Sequence, residues 1–243
     1  MNPHKQKFLD RIGSNIKTFG YHLTTVAGNS PLPRYVYSIG LTEKIGFELI
    51  FAGDGLYNID ELKIIIERIV IECETLNLEN IEYKVALSEA NSLINVDNSW
   101  SQLMMLGVYD FYNVTEFKAM QIIPDSEHLT LDIPNMAKEY NENNEPIWKW
   151  LTVEWTLSVP SRSIVITNYP TLLGEKITEA TRWEEDEWEA FVGESEDVKK
   201  EDMRIIPLGV LIGIDSSTIA FAELKIGKGI YREETDLVWQ AWN

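Results

Sequence analysis

The sequence is poor in the residues that most often carry out chemistry. Among 243 residues it has one cysteine, Cys73, and three histidines. A single cysteine cannot form an internal disulfide, which agrees with a reducing compartment. No apolar run approaches the roughly 20 residues that cross a bilayer, and the opening MNPHKQKFLD lacks an apolar signal region. These absences predict a cytoplasmic protein without a membrane segment.

Basic side chains are also scarce. The chain has 21 Lys and Arg residues against 39 Asp and Glu residues, a formal charge of −18. Such a charge repels phosphate backbones and anionic lipids, so we expect neither nucleic acid nor membrane as a partner. It attracts basic proteins and speeds their association. Solubility alone is the alternative explanation for this acidity.

Catalytic motifs are missing as well. There is no Gly-x-Ser-x-Gly elbow, no Walker loop and no His-Glu-x-x-His pair. Cys73 lies among isoleucines of a predicted helix, which indicates a core residue. Asp125, Glu127 and His128 are metal-ligand types, but three ligands within four loop residues make poor geometry for a closed site. We therefore predict no enzyme activity, no catalytic residue, no metal and no cofactor. The alternative is a hydrolase with an acidic pocket around Glu48 and Asp125, aided by His128.

What is present is a globular pattern, with 44% hydrophobic residues and eight tryptophans. Apolar spacing predicts a helix over 5–19 and a longer one over 59–77, capped by Asn58 and Glu61. Ile64 and Ile71 widen the apolar face of the second helix and predict that it is well buried. The other predictions for the first part are strands over 21–27, 34–41, 47–53, 83–87 and 117–123. Residues 101–113 fit either a helix or a strand, and we favour the helix.

The second part reads as β-rich. Its predicted strands cover 163–167, 177–183, 188–193, 204–214 and 229–233, and a short helix capped by Ser216 or Ser217 follows Ile214. The polar, turn-rich stretch 138–146 lies between the two parts. The sequence thus predicts an α+β fold: a mixed, largely antiparallel sheet with helices over residues 1–147, and a smaller β-rich domain over 148–243. Trp148, Trp150 and Trp155 are predicted to join the two parts.

One stretch, ATRWEEDEWEAFVG (180–193), has four consecutive acidic residues between two tryptophans. Alternation along the second predicted strand points Trp188 to the core and leaves a charged hairpin loop in water. Residues 179–202 carry eleven acidic and three basic side chains. Because interface hot spots favour tryptophan, we predict a partner-binding element here, with Trp183 at the loop edge as the aromatic anchor. The predicted partner-binding residues are Trp183, Glu184, Glu185, Asp186 and Glu187.

Three ordered motifs of the first part, YVYSIGL (35–41), FELIFAGD (47–54) and MQIIPDSE (120–127), resemble the bacterial family named domain of unknown function 4262. The similarity covers about residues 10–150. The family pattern has His-Pro directly before the glutamate that corresponds to Glu48, whereas this sequence has Gly46 and Phe47 at those positions. The resemblance implies no biochemical activity, because the family has none assigned. The matching positions are Tyr37, Ser38, Gly40, Leu41, Glu48, Leu49, Ile50, Gln121, Pro124 and Asp125.

The second part, over about residues 160–243, is similar to immunity protein family 33 (domain of unknown function 2185), found beside bacterial polymorphic toxins. The resembling segments are VITNYPTLLGEKI, EDEWEAFVG, KKEDMRIIPLGVLIGID and ETDLVWQAW. Their anchors are Asp186, Trp188, Phe191, Gly193, Asp202, Leu208, Asp215 and Trp242. The resemblance implies an immunity protein whose partner is a cognate toxin, expected to be basic, which it neutralises by covering the active site. A non-enzymatic scaffold is the remaining alternative.

Overall fold

The computed structural model describes residues 3–27, 30–53, 55–76, 84–86, 91–233, 235 and 238–242. Within them lie two six-stranded sheets and seven α-helices. The strands are β1 (His22–Val26), β2 (Tyr35–Ile39), β3 (Glu48–Ala52), β4 (Lys84–Ala86), β5 (Asn91–Asn95), β6 (Ala119–Pro124), β7 (Ile164–Asn168), β8 (Glu179–Arg182), β9 (Glu187–Phe191), β10 (Met203–Pro207), β11 (Lys228–Tyr231) and β12 (Gln240–Ala241). The helices are α1 (Pro3–Phe19), α2 (Thr42–Ile45), α3 (Ile59–Leu76), α4 (Asn98–Met104), α5 (Leu106–Tyr112), α6 (Tyr169–Leu172) and α7 (Leu208–Ile214).

Each sheet has one parallel pair inside an otherwise antiparallel arrangement. The first sheet has the order β1-β2-β3-β6-β5-β4, and β3 and β6 run parallel. The second has the order β10-β7-β9-β8-β11-β12, with β7 and β9 parallel. The predicted α+β class with largely antiparallel sheets is confirmed.

Helix α3 covers one face of the first sheet. Its Leu62, Ile66 and Ile69 pack against buried residues of β3 such as Leu49 and Phe51. Asn58 and Glu61 form the predicted capping box, since each accepts a hydrogen bond from the other's backbone N–H, at 3.0 and 2.8 Å.

The expectation that Ile64 and Ile71 widen the buried face of α3, so that the helix is well buried, is wrong. Ile64 and Ile71 are 55% and 65% exposed. They lie seven residues apart, so they share one face of the helix, and the sheet lies on the opposite side. The last predicted residue of this helix, Asn77, lies outside the described residues.

The other face of the first sheet shares a continuous hydrophobic cluster with the second sheet. Trp148 is 1% exposed, contacts Tyr35 and Trp100 edge-on, and donates from its indole to the carbonyl of Asp132 at 2.9 Å. Trp188 of β9 belongs to the same cluster. One apolar core therefore extends through both sheets.

The stretch 138–146 contains turns and neither a helix nor a strand, as the predicted boundary requires. The boundary between residues 147 and 148 stays a prediction. Trp150 makes the link expected of it, because its indole donates to the carbonyl of Gly209 at 3.2 Å while its ring contacts Trp155.

The predicted strand over 204–214 is wrong in its second half. The chain is extended only to Pro207 and then forms α7. A short apolar run cannot distinguish a strand from a buried helix, and here tertiary packing selects the helix. A side chain on Gly209 would collide with Pro31, and one on Gly213 with Ile147, so both glycines allow α7 to approach the first part of the chain, residues 1–147.

Several smaller elements also differ from expectation. The predicted helix over 101–113 is two helices, α4 and α5, that meet at Met105. Strand β5 and helices α2 and α6 had not been predicted. The short helix after Ile214 is a 3₁₀ helix over Ser216–Glu223, and its cap is Asp215, which accepts from the N–H of Ser217 at 3.0 Å. The predicted strand over 83–87 is seen at 84–86, and its end residues lie outside the described part.

Candidate functional site

The hairpin of β8 and β9 turns its first tryptophan outward and its second inward. Trp188 is fully buried, and its indole donates to the carbonyl of Phe221 at 3.1 Å. Trp183 is 50% exposed at the tip. The predicted core position of Trp188 and edge position of Trp183 are therefore both observed, while the binding role of Trp183 stays a prediction.

Trp183 is held in place although half of it faces solvent. Its backbone N–H donates to the carbonyl of Glu187 at 3.0 Å, which closes the hairpin. Its indole N–H donates to the Oε2 atom of Glu189 at 2.8 Å. These two bonds restrict the residue, so its side chain has already lost much of its conformational entropy.

The four carboxylates beside Trp183 are not equivalent. Glu184 and Glu185 are exposed at the tip. Asp186 pairs with the Nε atom of Arg162 at 2.8 Å and is only partly exposed. Glu187 is the first residue of β9 and is also partly covered. The expected loop of four solvated acids is thus corrected to two exposed acids and two partly covered ones.

Arg182, which was not singled out from the sequence, holds the tip together. Its guanidinium donates to the carbonyls of Glu184, Glu185 and Leu224 at 3.1, 2.6 and 2.7 Å. It also lies 4.7 Å from the centroid of the Trp188 ring. One side chain therefore links the exposed tip to the buried indole and to the loop before β11.

The outer face of the second sheet carries a groove next to this tip. One recess, of about 330 Å³, is lined by Trp183, Glu189 and Trp242 among others. A second, of about 750 Å³, continues from it and shares Glu179, Ser195 and Trp242 with it. Trp242 follows β12 and is 41% exposed, so two half-exposed indoles line the same recess.

Glu48, the centre of the alternative hydrolase hypothesis, is a saturated structural carboxylate. It is completely buried at the start of β3. The backbone N–H groups of Gly40, Leu41 and Thr42 donate to it at 3.0, 3.3 and 3.0 Å. The hydroxyls of Ser38, Thr42 and Tyr112 donate at 2.5, 2.9 and 2.8 Å.

Six uncharged donors occupy the acceptor sites of this one carboxylate. Burial, together with the negative charge of Glu48, raises the pKa of Tyr112, which keeps the phenol protonated and able to donate. A general base needs an open lone pair that faces a substrate, whereas both oxygens of Glu48 are already engaged. The arrangement anchors the turn between β2 and α2.

Asp125 does not share a pocket with Glu48. The two strands β3 and β6 run parallel, with Glu48 opposite Ala119 at their first residues, whereas Asp125 follows the last residue of β6. At about 3.3 Å per residue, the length of β6 separates the two carboxylates. The predicted acidic pocket around Glu48 and Asp125 is therefore wrong.

Asp125 and His128 form a local pair on the surface. The ring Nδ1 of His128 lies 2.8 Å from Asp125, and this hydrogen bond is the main reason why the pKa of Asp125 lies below its usual value. The His128 ring stacks on Tyr57. Burial, with the nearby charge of Asp125, raises the pKa of Tyr57 to about 12. Within the described residues, no group of three or more His, Cys, Asp or Glu side chains is placed to hold a metal ion.

Cys73 occupies the core position expected from the sequence. It is fully buried in α3, and burial, helped by the charge of Glu72, raises the pKa of its thiol to about 11. Since the thiolate is the nucleophilic form, burial and the raised pKa both disfavour this thiol as a nucleophile.

Comparison with known families bears on the first half only. Residues 15–129 match the model of the family described as "Domain of unknown function (DUF4262)", which supports the resemblance drawn from the three motifs of the first part. This match covers a little under half of the chain. No curated protein and no solved structure matches the sequence. The resemblance of residues 160–243 to immunity protein family 33 receives no support and stays a prediction.

The matched segment contains the Glu48 cluster and a second buried polar residue with a supporting role. Gln121 donates to the carbonyl of Pro134 at 2.7 Å and accepts from the N–H of Met136 at 3.1 Å. The polar residues that carry the resemblance thus satisfy backbone groups of neighbouring loops. None of the described helices has the length and hydropathy that a bilayer crossing requires.

Proposed function

We propose that this chain is an immunity protein that binds a basic toxin and covers its active site. The observation that carries the proposal is the hairpin tip, where the half-exposed Trp183 is fixed by Glu189 and flanked by the exposed Glu184 and Glu185. A rigid aromatic beside solvated charge has the composition of an interface hot spot with a polar rim.

The two components have different roles in this proposal. Glu184 and Glu185, within a chain of formal charge −18, steer a basic partner and raise the association rate, mostly at low salt. Trp183 loses its remaining water contact in the complex and slows dissociation. Binding excludes substrate from the toxin by occupying the mouth of its active site.

The proposal is tested by co-expression in a bacterial host. The proposal expects a toxin domain to be encoded beside this gene; that domain is induced together with the wild-type chain, and growth is expected to recover. A variant combining Trp183→Ala, Glu184→Ser and Glu185→Ser should lose protection while remaining folded. A matched control combines Phe19→Ala, Glu116→Ser and Glu142→Ser, which removes an exposed aromatic and two exposed acids elsewhere.

Growth arrest that the wild-type chain does not relieve would overturn the proposal. If the triple variant of the hairpin tip and the control protect equally well, the hairpin is not needed to neutralise the toxin. Purified toxin and chain should also form a complex on size exclusion, and the association rate of the tip variant should depend less on salt than that of the wild type.

A further inference from the structure

The outer face of β8, β9 and β11 carries side chains that the hairpin tip alone does not explain. Register places Thr181 opposite Glu189 on one side and opposite Gly229 on the other. Ala180, Ala190 and Ile230, one position along, are buried in the core. Since side chains alternate along a strand, Thr181, Glu189 and Gly229 all face outward and line the groove.

Gly229 makes the groove possible. The Trp242 ring lies so close above Gly229 that any side chain there would collide with it. The backbone N–H of Trp242 donates to the carbonyl of Gly229 at 3.1 Å. Trp242 is therefore seated on the backbone of β11, and Trp183 lines the same recess with its indole bonded to Glu189.

The groove combines an apolar floor, aromatic walls and negative charge. Phe191 pairs with Glu179 and belongs to the outward register, yet it is only 3% exposed and lies at the floor. Glu179 and Glu189 supply two carboxylates. Lys228 is exposed and also borders the recess, so it sets one positive charge against the two carboxylates, and the formal balance of these three side chains is −1.

We propose that this groove receives an arginine side chain of a protein partner, with the guanidinium lying against Trp183 and Trp242 and paired with Glu189. The planar guanidinium is weakly hydrated, stacks on indole rings and forks onto a carboxylate. Its aliphatic stem matches the apolar floor. The indole N–H of Trp183 occupies one acceptor site of Glu189. A carboxylate has about four such sites, so acceptor sites remain for the guanidinium.

Charge complementarity selects this occupant over a second copy of the chain. Two copies would bring together two molecules of formal charge −18, and the groove itself contributes Glu179 and Glu189 to that repulsion. An arginine from a basic partner reverses the sign of the interaction and places charge-assisted hydrogen bonds in a partly desolvated recess.

This inference rests on the proposed function for the identity of the partner, but its test does not use the toxin. The probe is a fluorescent hexa-arginine peptide, with hexalysine and hexacitrulline peptides of equal length, titrated at low and moderate salt by anisotropy. Citrulline keeps the shape of arginine and removes the charge. We expect hexa-arginine to bind several-fold more tightly than hexalysine, and hexacitrulline to bind least.

Variants localise the site. Glu179→Gln with Glu189→Gln, and separately Trp242→Ala, should each weaken hexa-arginine binding by at least about tenfold. Trp183→Phe, which keeps a ring and removes the indole donor, should weaken it less than Trp183→Ala. The control, Glu116→Gln with Glu142→Gln, removes the same number of exposed charges elsewhere and should bind like the wild type.

Equal binding by the groove variants and the control would overturn the proposal, because the peptide would then follow net charge alone. Hexalysine binding as tightly as hexa-arginine would overturn the arginine assignment. If the chain binds the peptide but does not rescue growth from the toxin, the proposed function is refuted and the arginine site is retained. If it rescues growth but does not bind hexa-arginine specifically, the arginine site is refuted and the proposed function is retained.

Discussion

A buried carboxylate survives in a protein core only when its acceptor sites are filled, and Glu48 meets that condition with neutral groups. Its hydrogen bonds join the end of β2, the start of α2, the first residue of β3 and the end of α5 through Ser38, Thr42 and Tyr112. Four elements thus meet at one side chain. Its role follows from this geometry: it fixes a turn, and a substrate would have to displace those donors to reach it.

Replacing Glu48 with Gln should destabilise the fold by about 3 kcal/mol, because an amide NH₂ would face N–H and O–H donors that then lose their acceptor. Tyr112→Phe removes one donor and should cost about 1 kcal/mol. Urea melts followed by circular dichroism measure both. Glu43→Gln, at an exposed position in the adjacent α2, is the control. An unchanged midpoint in Glu48→Gln would contradict the anchoring role.

The ion pair of Asp215 and Arg232 also acts at the scale of single residues, and it makes a pH-dependent contribution to the stability of the fold. Arg232 is 3% exposed and donates to the carbonyl of Ile177, to Ser217 and to Asp215. Burial by itself raises the pKa of Asp215, but hydrogen bonds from Ser217 and Arg232, with the charge of Arg232, outweigh burial and hold the pKa below its usual value.

A carboxyl whose pKa is lower in the folded state adds stability that is fully present above its unfolded pKa, about 3.9. That stability is lost as the pH falls through the folded pKa. Asp215→Asn should therefore cost about 3 kcal/mol at pH 7 and progressively less as the pH falls below about 3.9 and through the lower folded-state pKa. Melts across this range measure the difference, with the exposed Asp60→Asn as control. A cost that does not change with pH would contradict the prediction.

At the scale of the element, the β8–β9 hairpin assigns opposite tasks to two tryptophans five residues apart. Trp188→Ala should cost roughly 3–5 kcal/mol, since it empties a core site and leaves the carbonyl of Phe221 without its donor. Trp183→Ala should cost less than about 1 kcal/mol, because that ring is half exposed. Denaturant melts of the two variants, analysed with a common slope, test the contrast. Similar losses would mean that the tip is part of the core.

At the scale of the whole molecule, the hydrophobic cluster shared by the two sheets makes them interdependent. Trp148 packs on the first sheet, while its neighbour Ile147 contacts Gly213 of α7. Neither sheet can unfold without exposing part of this common core. We expect a single unfolding transition, in which tryptophan fluorescence and far-ultraviolet circular dichroism coincide. Two separated transitions would show that the two sheets unfold independently.

Local pattern was sufficient for some of the regular elements of the first part, although not for α2, β5 or the break between α4 and α5. The apolar periodicity of α1 and α3, the capping pair Asn58 and Glu61, and the glycine-bounded strands β1 to β3 are short-range features, so they could be read from neighbouring residues. The sequence also predicted which way Trp188 points in the hairpin, because the alternation of side chains along a strand directs it to the core.

Only the tertiary structure decided the features that depend on residues distant in sequence. Leu208–Ile214 is a helix whose Gly209 and Gly213 lie too close to Pro31 and Ile147 for any side chain, and Ile64 and Ile71 are exposed because nothing in the described part of the fold covers that side of α3. The six donors of Glu48 come from as far away as Tyr112, and the indole of Trp242 reaches the Trp183 recess through the pairing of β11 with β12. Burial and proximity arise from long-range packing, and a linear pattern records only which residues are able to take part.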